Sequence, residues 1–170
     1  MLHCRILHFS LILLLATLPF MLRAETSTPD TAAADGITPQ WAENYLIRYQ
    51  SPLLADGGND QVTSFYYFGT LQGYTLMGLE RVRGEDYEQF FSLMIFRDRQ
   101  LLGYYRHVLS FPSGVSSAGD VSFPRGVESR FDGGDKPLNI TAGRYPALCQ
   151  TLGNRQTCIP WTPAASAESD

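Results

Sequence analysis

The segment Tyr87-Glu88-Gln89-Phe90-Phe91-Ser92-Leu93-Met94-Ile95-Phe96-Arg97-Asp98-Arg99-Gln100-Leu101-Leu102-Gly103-Tyr104-Tyr105 decides the fold. Within it Phe91, Leu93 and Ile95 alternate with Phe90, Ser92, Met94 and Phe96. Successive side chains of a strand point to opposite faces, so this strand is apolar on both. A strand of that kind belongs in the middle of a sheet that is covered on both sides. Arg97-Asp98-Arg99 is a polar break suited to a hairpin turn, and Leu101 to Leu109 resumes the β pattern.

Upstream, Val62 to Leu71 is rich in Phe, Tyr and Thr, and Gly73 separates it from Tyr74 to Val82. Gly84-Glu85-Asp86 forms the next turn. Links this short require antiparallel pairing, because a parallel crossover needs a dozen or more residues. Further upstream, Thr38-Pro39 announces a helix, with Thr as N-cap and Pro at the first helical position. Trp41, Tyr45, Leu46 and Tyr49 then share one helical face, and Pro52 disfavours continuation. The expected fold is α+β and mostly β. It is an antiparallel meander of at least four strands, with one N-terminal amphipathic helix packed on it and a disulfide-stapled C-terminal segment.

After Phe111 the pattern weakens. Pro112 to Gly119 reads as loop, Asp120 to Phe123 as a short strand, Arg130 to Lys136 as a turn, and Leu138 to Thr141 as a further strand. Ser113-Gly114-Val115-Ser116 begins like the Ser-Gly-x-x-Tyr loop of periplasmic lysozyme inhibitors. Ser117 stands where that loop has its Tyr, so no family is assigned.

Residues 1–24 read as a secretory signal peptide, with Arg5 before the apolar run Ile6 to Leu22 and Ala24 at the cleavage point. The rival is an uncleaved anchor, the one case in which a membrane enters. Residues 25–36 read as a flexible leader, 37–161 as a single globular domain and 162–170 as a disordered tail. The expected location is periplasmic or secreted.

The chain of 170 residues carries a net charge of −4. Residues 25–170 keep all 17 acidic residues and 11 of the 13 basic ones, giving −6. That balance argues against nucleic acid as a partner, since phosphate binding relies on clustered Lys and Arg. Cys149 and Cys158, alone after residue 24, are expected to form a disulfide.

Catalytic sets are sparse. His107 is the only histidine beyond residue 24 and has no Gly-x-Ser-x-Gly partner motif. Strict alternation groups it with Tyr105 and Leu109. Glu80, Glu85, Asp86 and Glu88 are the acidic candidates for acid–base work, with Glu80 set apart inside an apolar strand. The Asp-Gly-Gly loops at 56–60 and 132–135 lack a calcium-loop pattern, and no metal or cofactor is expected.

The outstanding feature is aromatic. Phe65, Tyr66, Tyr67, Phe68, Tyr74, Tyr87, Phe90, Phe91, Tyr104 and Tyr105 crowd into the meander. One face can pack on the Trp41 helix, while the other needs a second layer, a ligand or a partner. The C-terminal segment is the candidate second layer. The expectation is a small non-catalytic binding protein for an envelope protein or a small ligand, with Tyr67, Tyr74, Tyr104 and Arg106 on its binding face. The alternatives are a small envelope hydrolase using His107 or an acidic pair, and a structural envelope-assembly protein.

Overall fold

The computed structural model describes residues 36–54, 60–131, 134 and 136–165. The expected signal peptide, all of the leader but Gly36, the Asp-Gly-Gly positions at 56–59 and the last five residues lie outside them.

Thr38 starts α1 (Pro39–Arg48) as expected. Its backbone is extended and its side-chain oxygen accepts the Trp41 N–H at 3.1 Å. This satisfies one of the donors that a helix start leaves open. Beyond Tyr49, Gln50 takes a φ of 47°, and the Ser51 N–H returns to the Leu46 carbonyl at 2.9 Å, closing the helix.

The strands are β1 (Asp60–Leu71), β2 (Tyr74–Arg83), β3 (Glu88–Arg97), β4 (Gln100–Val108), β5 (Gly114–Val115), β6 (Val121–Ser122), β7 (Val127–Phe131), β8 (Leu148–Leu152), β9 (Arg155–Ile159) and β10 (Trp161–Pro163). They form a five-stranded sheet in the order β1-β2-β3-β4-β10, a β5-β6 pair and a three-stranded sheet β7-β8-β9. Every strand pairing is antiparallel. The architecture is mostly β, and the four-strand meander follows the expected register of turns.

The meander separates two buried clusters. On one face Leu76, Leu93, Ile95 and Tyr105 pack with Val121, Leu138, Ile140, Leu148 and Ile159. The C-terminal half therefore supplies the second layer. On the other face Met77, Leu79, Met94, Phe96 and Tyr104 share a cluster with Ile37, Ala42, Leu46 and Leu53. The alternation along β3 sorts its residues between these two clusters, as its sequence implies.

Two glycines permit close approaches. A Cβ on Gly78 would lie 2.7 Å from both the Phe68 and Phe111 rings. One on Gly103 would lie 2.4 Å from Trp161 Cζ2 and from the Thr162 carbonyl, where β10 docks.

The C-terminal region departs from expectation. Leu138 to Thr141 makes only an isolated bridge, Asp120 to Asn139. Arg130 and Phe131, expected in a turn, end β7. Gly114 and Val115, expected in a loop, pair with β6. β10 crosses the boundary expected at residue 161: Thr162 and Pro163 pair with Tyr104 and Gly103, and the Ala164 N–H donates to the Leu102 carbonyl at 3.0 Å.

Cys149 and Cys158 face each other across the β8–β9 hairpin and form a disulfide, with Cα atoms 3.9 Å apart. Gln150 beside it is fully buried. Its Oε1 accepts the Leu109 N–H at 2.7 Å, and its Nε2 donates to Ser129 Oγ at 3.2 Å, tying the end of β4 to the small sheet. Among the described residues no helix is long and apolar enough to cross a membrane.

Candidate functional site

Helical spacing stacks Trp41, Tyr45 and Tyr49 one turn apart. Their rings form a ladder, with centroids 5.1 Å apart between Trp41 and Tyr45 and 4.6 Å between Tyr45 and Tyr49. Phe96 of β3 meets both Trp41 and Tyr45 nearly edge-on, at 5.6 Å each. Edge-to-face contact sets the positive rim of one ring against the negative face of another. The Tyr45 hydroxyl accepts the Leu101 N–H at 3.2 Å, which locks the middle ring to β4. Among the described residues Tyr49 has Tyr45 as its one aromatic neighbour, and it is 54% exposed.

Three depressions share Tyr45 and Tyr49. The first, of about 520 Å³, lies between the end of α1 and the β4–β10 edge, lined by Ser51, Pro52, Leu101, Tyr104, Pro163 and Ala164 among others. The second, of about 550 Å³, adds Asp98, Arg99 and Gln100 from the β3–β4 turn. The third, of about 310 Å³, lies along the helix between Trp41, Asn44, Arg48 and Arg99. Cavities of roughly 300–1,000 Å³ with a few polar groups on apolar walls are the size that holds small ligands.

The expected binding residues divide. Tyr104 lines the depression of about 520 Å³ and is only 5% exposed. Arg106 lies beside it, its guanidinium carbon 5.3 Å from the Tyr104 ring centre, and donates to the Pro52 carbonyl. Tyr67 packs against the same helix-side cluster from β1, three strands away from β4. Tyr74 packs against the opposite cluster, with the Arg97 guanidinium 5.1 Å over its ring. The four therefore do not make one surface. Tyr74 and Tyr104 lie on opposite faces because they occupy rows of opposite parity in the paired strands, Tyr74 in line with Leu76 and Tyr104 opposite Met94. Both groove rings carried a core expectation: Tyr45 meets it in part, packing half-buried on the helix-side cluster, while Tyr49 is exposed. Their spacing fixed a shared face, and the groove arises because the sheet beneath that face ends near β10.

The catalytic candidates stand apart. His107 falls in a bulge: Phe91 pairs with Val108 and Ser92 with Arg106, which leaves His107 the extra residue, with φ 58°. The bulge resets the alternation, so Val108 joins Tyr105 in one core while His107 is exposed, against the expectation that grouped His107 with Tyr105. Its ring meets Phe90 edge-on at 5.2 Å. The Glu80 carboxylate accepts from the Tyr66 hydroxyl at 2.6 Å and from Gln89 Nε2 at 3.0 Å. That bond to Glu80 raises the Tyr66 hydroxyl above its ordinary pKa, with a smaller push from burial. Glu85 and Asp86 are exposed in the turn before β3, and Glu88 is exposed at its first residue. Among the described residues no group of three or more His, Cys, Asp or Glu is placed to hold a metal ion.

No protein-family model, curated protein or solved structure matches this chain.

Proposed function

We propose that the chain is an exported, non-catalytic binding protein, periplasmic or secreted, that takes a small ligand with a flat apolar face, such as a sugar ring, against Tyr45 and Tyr49. The observation that carries this reading is Tyr49. The residue is 54% exposed and lines a groove of about 520 Å³, while Tyr104 and Tyr105 are buried. Large apolar side chains grouped at a concave surface mark interaction sites on single chains. The Cys149–Cys158 disulfide supports an oxidising compartment, which fits residues 1–24 acting as an export signal. A hydrolase built on His107 draws less support, because its ring packs on Phe90 and lines none of the three depressions.

The test is calorimetric titration of the purified protein with a phenyl glucoside. Saturable binding is expected, weakened about tenfold in Tyr49→Ala, the loss of one stacked ring. Because Tyr49 is exposed, the variant should keep the wild-type circular dichroism and Tm. Equal binding by Tyr49→Ala, or release of phenol by the wild type, would count against the reading.

A further inference from the structure

The helix end of the groove carries more charge than a stacking surface requires. Its depression of about 310 Å³ is lined by Trp41, Asn44, Tyr45, Arg48, Tyr49 and Arg99, which include two guanidinium groups and no carboxylate. On a chain of net charge −4 this is a local reversal of sign. Among the described residues no carboxylate lies within ion-pair distance of Arg48 or Arg99. Asp98, next in sequence, pairs with Arg97 at 3.5 Å. The two guanidiniums instead lie against rings, Arg99 Cζ 5.0 Å from the Trp41 centroid and Arg48 Cζ 6.0 Å from that of Tyr49. Stacking occupies the flat face of a guanidinium and leaves its N–H edge for an acceptor in the plane.

The turn that presents Arg99 is an independent sign. Arg97 pairs with Gln100, so Asp98-Arg99 is a two-residue link, with φ 48° and 67°. Turns with positive φ at both central positions favour Asn-Gly or Asp-Gly. Here Arg takes the place of Gly, in a left-handed conformation that costs a side chain free energy. Such strain concentrates at ligand clamps and active sites. What Arg supplies there, and Gly cannot, is a charge held over Trp41.

We infer that this end of the groove binds the carboxylate of an acidic sugar, a uronic-acid unit of an anionic glycan. Arg99 and Arg48 hold the carboxylate through their N–H edges, while Tyr45 and Tyr49 stack the sugar ring. The inference rests on the groove reading above and adds the ligand's charge to it. Arginine suits this task because its fork meets both oxygens of a carboxylate.

Calorimetric titration of the purified protein with trigalacturonate and with its uncharged methyl ester tests it. The acid should bind about tenfold more tightly than the ester, as charge-assisted bonds outweigh neutral ones, and added salt should shrink the advantage. Arg99→Gly should abolish the advantage while keeping ester binding and the wild-type circular dichroism, because Gly suits the turn. Equal binding of acid and ester, or an acid preference that survives Arg99→Gly, overturns the inference. If the ester still binds and depends on Tyr49, the groove reading stands without it. If neither probe binds and the phenyl glucoside also fails, both fall.

Discussion

The Arg99 guanidinium carbon sits 5.0 Å from the centre of the Trp41 ring, joining the β3–β4 turn to the helix by a cation–π contact. Removing its two partners should have unequal effects. Arg99→Gly loses a contact worth about 0.5–1 kcal/mol at an exposed site. It also relieves a left-handed backbone cost of about 1–2 kcal/mol. Urea unfolding should therefore place Arg99→Gly within about 1 kcal/mol of the wild type. Trp41→Ala also loses the Tyr45 and Phe96 ring contacts and should cost about 2–4 kcal/mol. The reverse ranking would contradict the geometry.

Gln150 is a buried clamp. Replacing it with Leu removes the acceptor of the Leu109 N–H and the link to Ser129. A buried donor left without its acceptor costs about 1–3 kcal/mol. The urea midpoint of Gln150→Leu should fall accordingly, and an unchanged midpoint would show that the clamp contributes nothing.

Alkaline pH should loosen the side of the sheet that carries Tyr105 and Tyr145. Burial pushes the Tyr145 hydroxyl up to about 12, helped by the neighbouring Tyr74, from an ordinary 10.0. Burial raises Tyr105 as well, helped by Tyr145. The hydroxyls donate to the Ile140 and Pro146 carbonyls, bonds that need the neutral form. Between the unfolded and folded values the unfolded chain has released protons that the folded chain keeps. Stability is thus fully present below pH 10 and is lost as pH rises from 10 toward 12. Urea midpoints measured across that range should decline, with part of the tyrosinate absorbance appearing only on unfolding. A flat profile would show that these hydroxyls titrate freely.

The disulfide joins cysteines separated by nine positions, so it closes a short loop. Loop-closure entropy for that length gives about 2–3 kcal/mol. A Cys149→Ala/Cys158→Ala variant should lose that amount in urea unfolding, and the wild type under reductant should match it. If both unfold at the oxidised midpoint, the hairpin is held by its pairing alone.

The central meander was legible because local signals agreed. Thr38 and Pro39 mark the helix start, Asp98-Arg99 the turn, and the alternation along Phe90 to Phe96 the doubly covered strand. Less was visible where partners lie far apart in sequence. Thr162 and Pro163 look like the start of a polar tail, and Gly103, some sixty positions earlier, makes room for them and for Trp161. A one-residue bulge at His107 likewise leaves no mark on composition but inverts the facing of Val108. Of the residues picked from aromatic and charge content, Tyr104 lines the groove and Arg106 lies beside it. Tyr45 and Tyr49 were read as one face packing on the sheet, since periodicity places a face against a sheet without saying where the sheet stops.

Binding in the groove is read most plainly by an amide chemical-shift map of the isotope-labelled protein during titration with a phenyl glucoside. Saturable shifts should cluster at Tyr45, Tyr49, Leu101 and Tyr104, with Tyr67 and Tyr74 unmoved. Shifts centred on Tyr67, Tyr74 or His107, or no saturable shift at all, would contradict the assignment of this groove as the binding site.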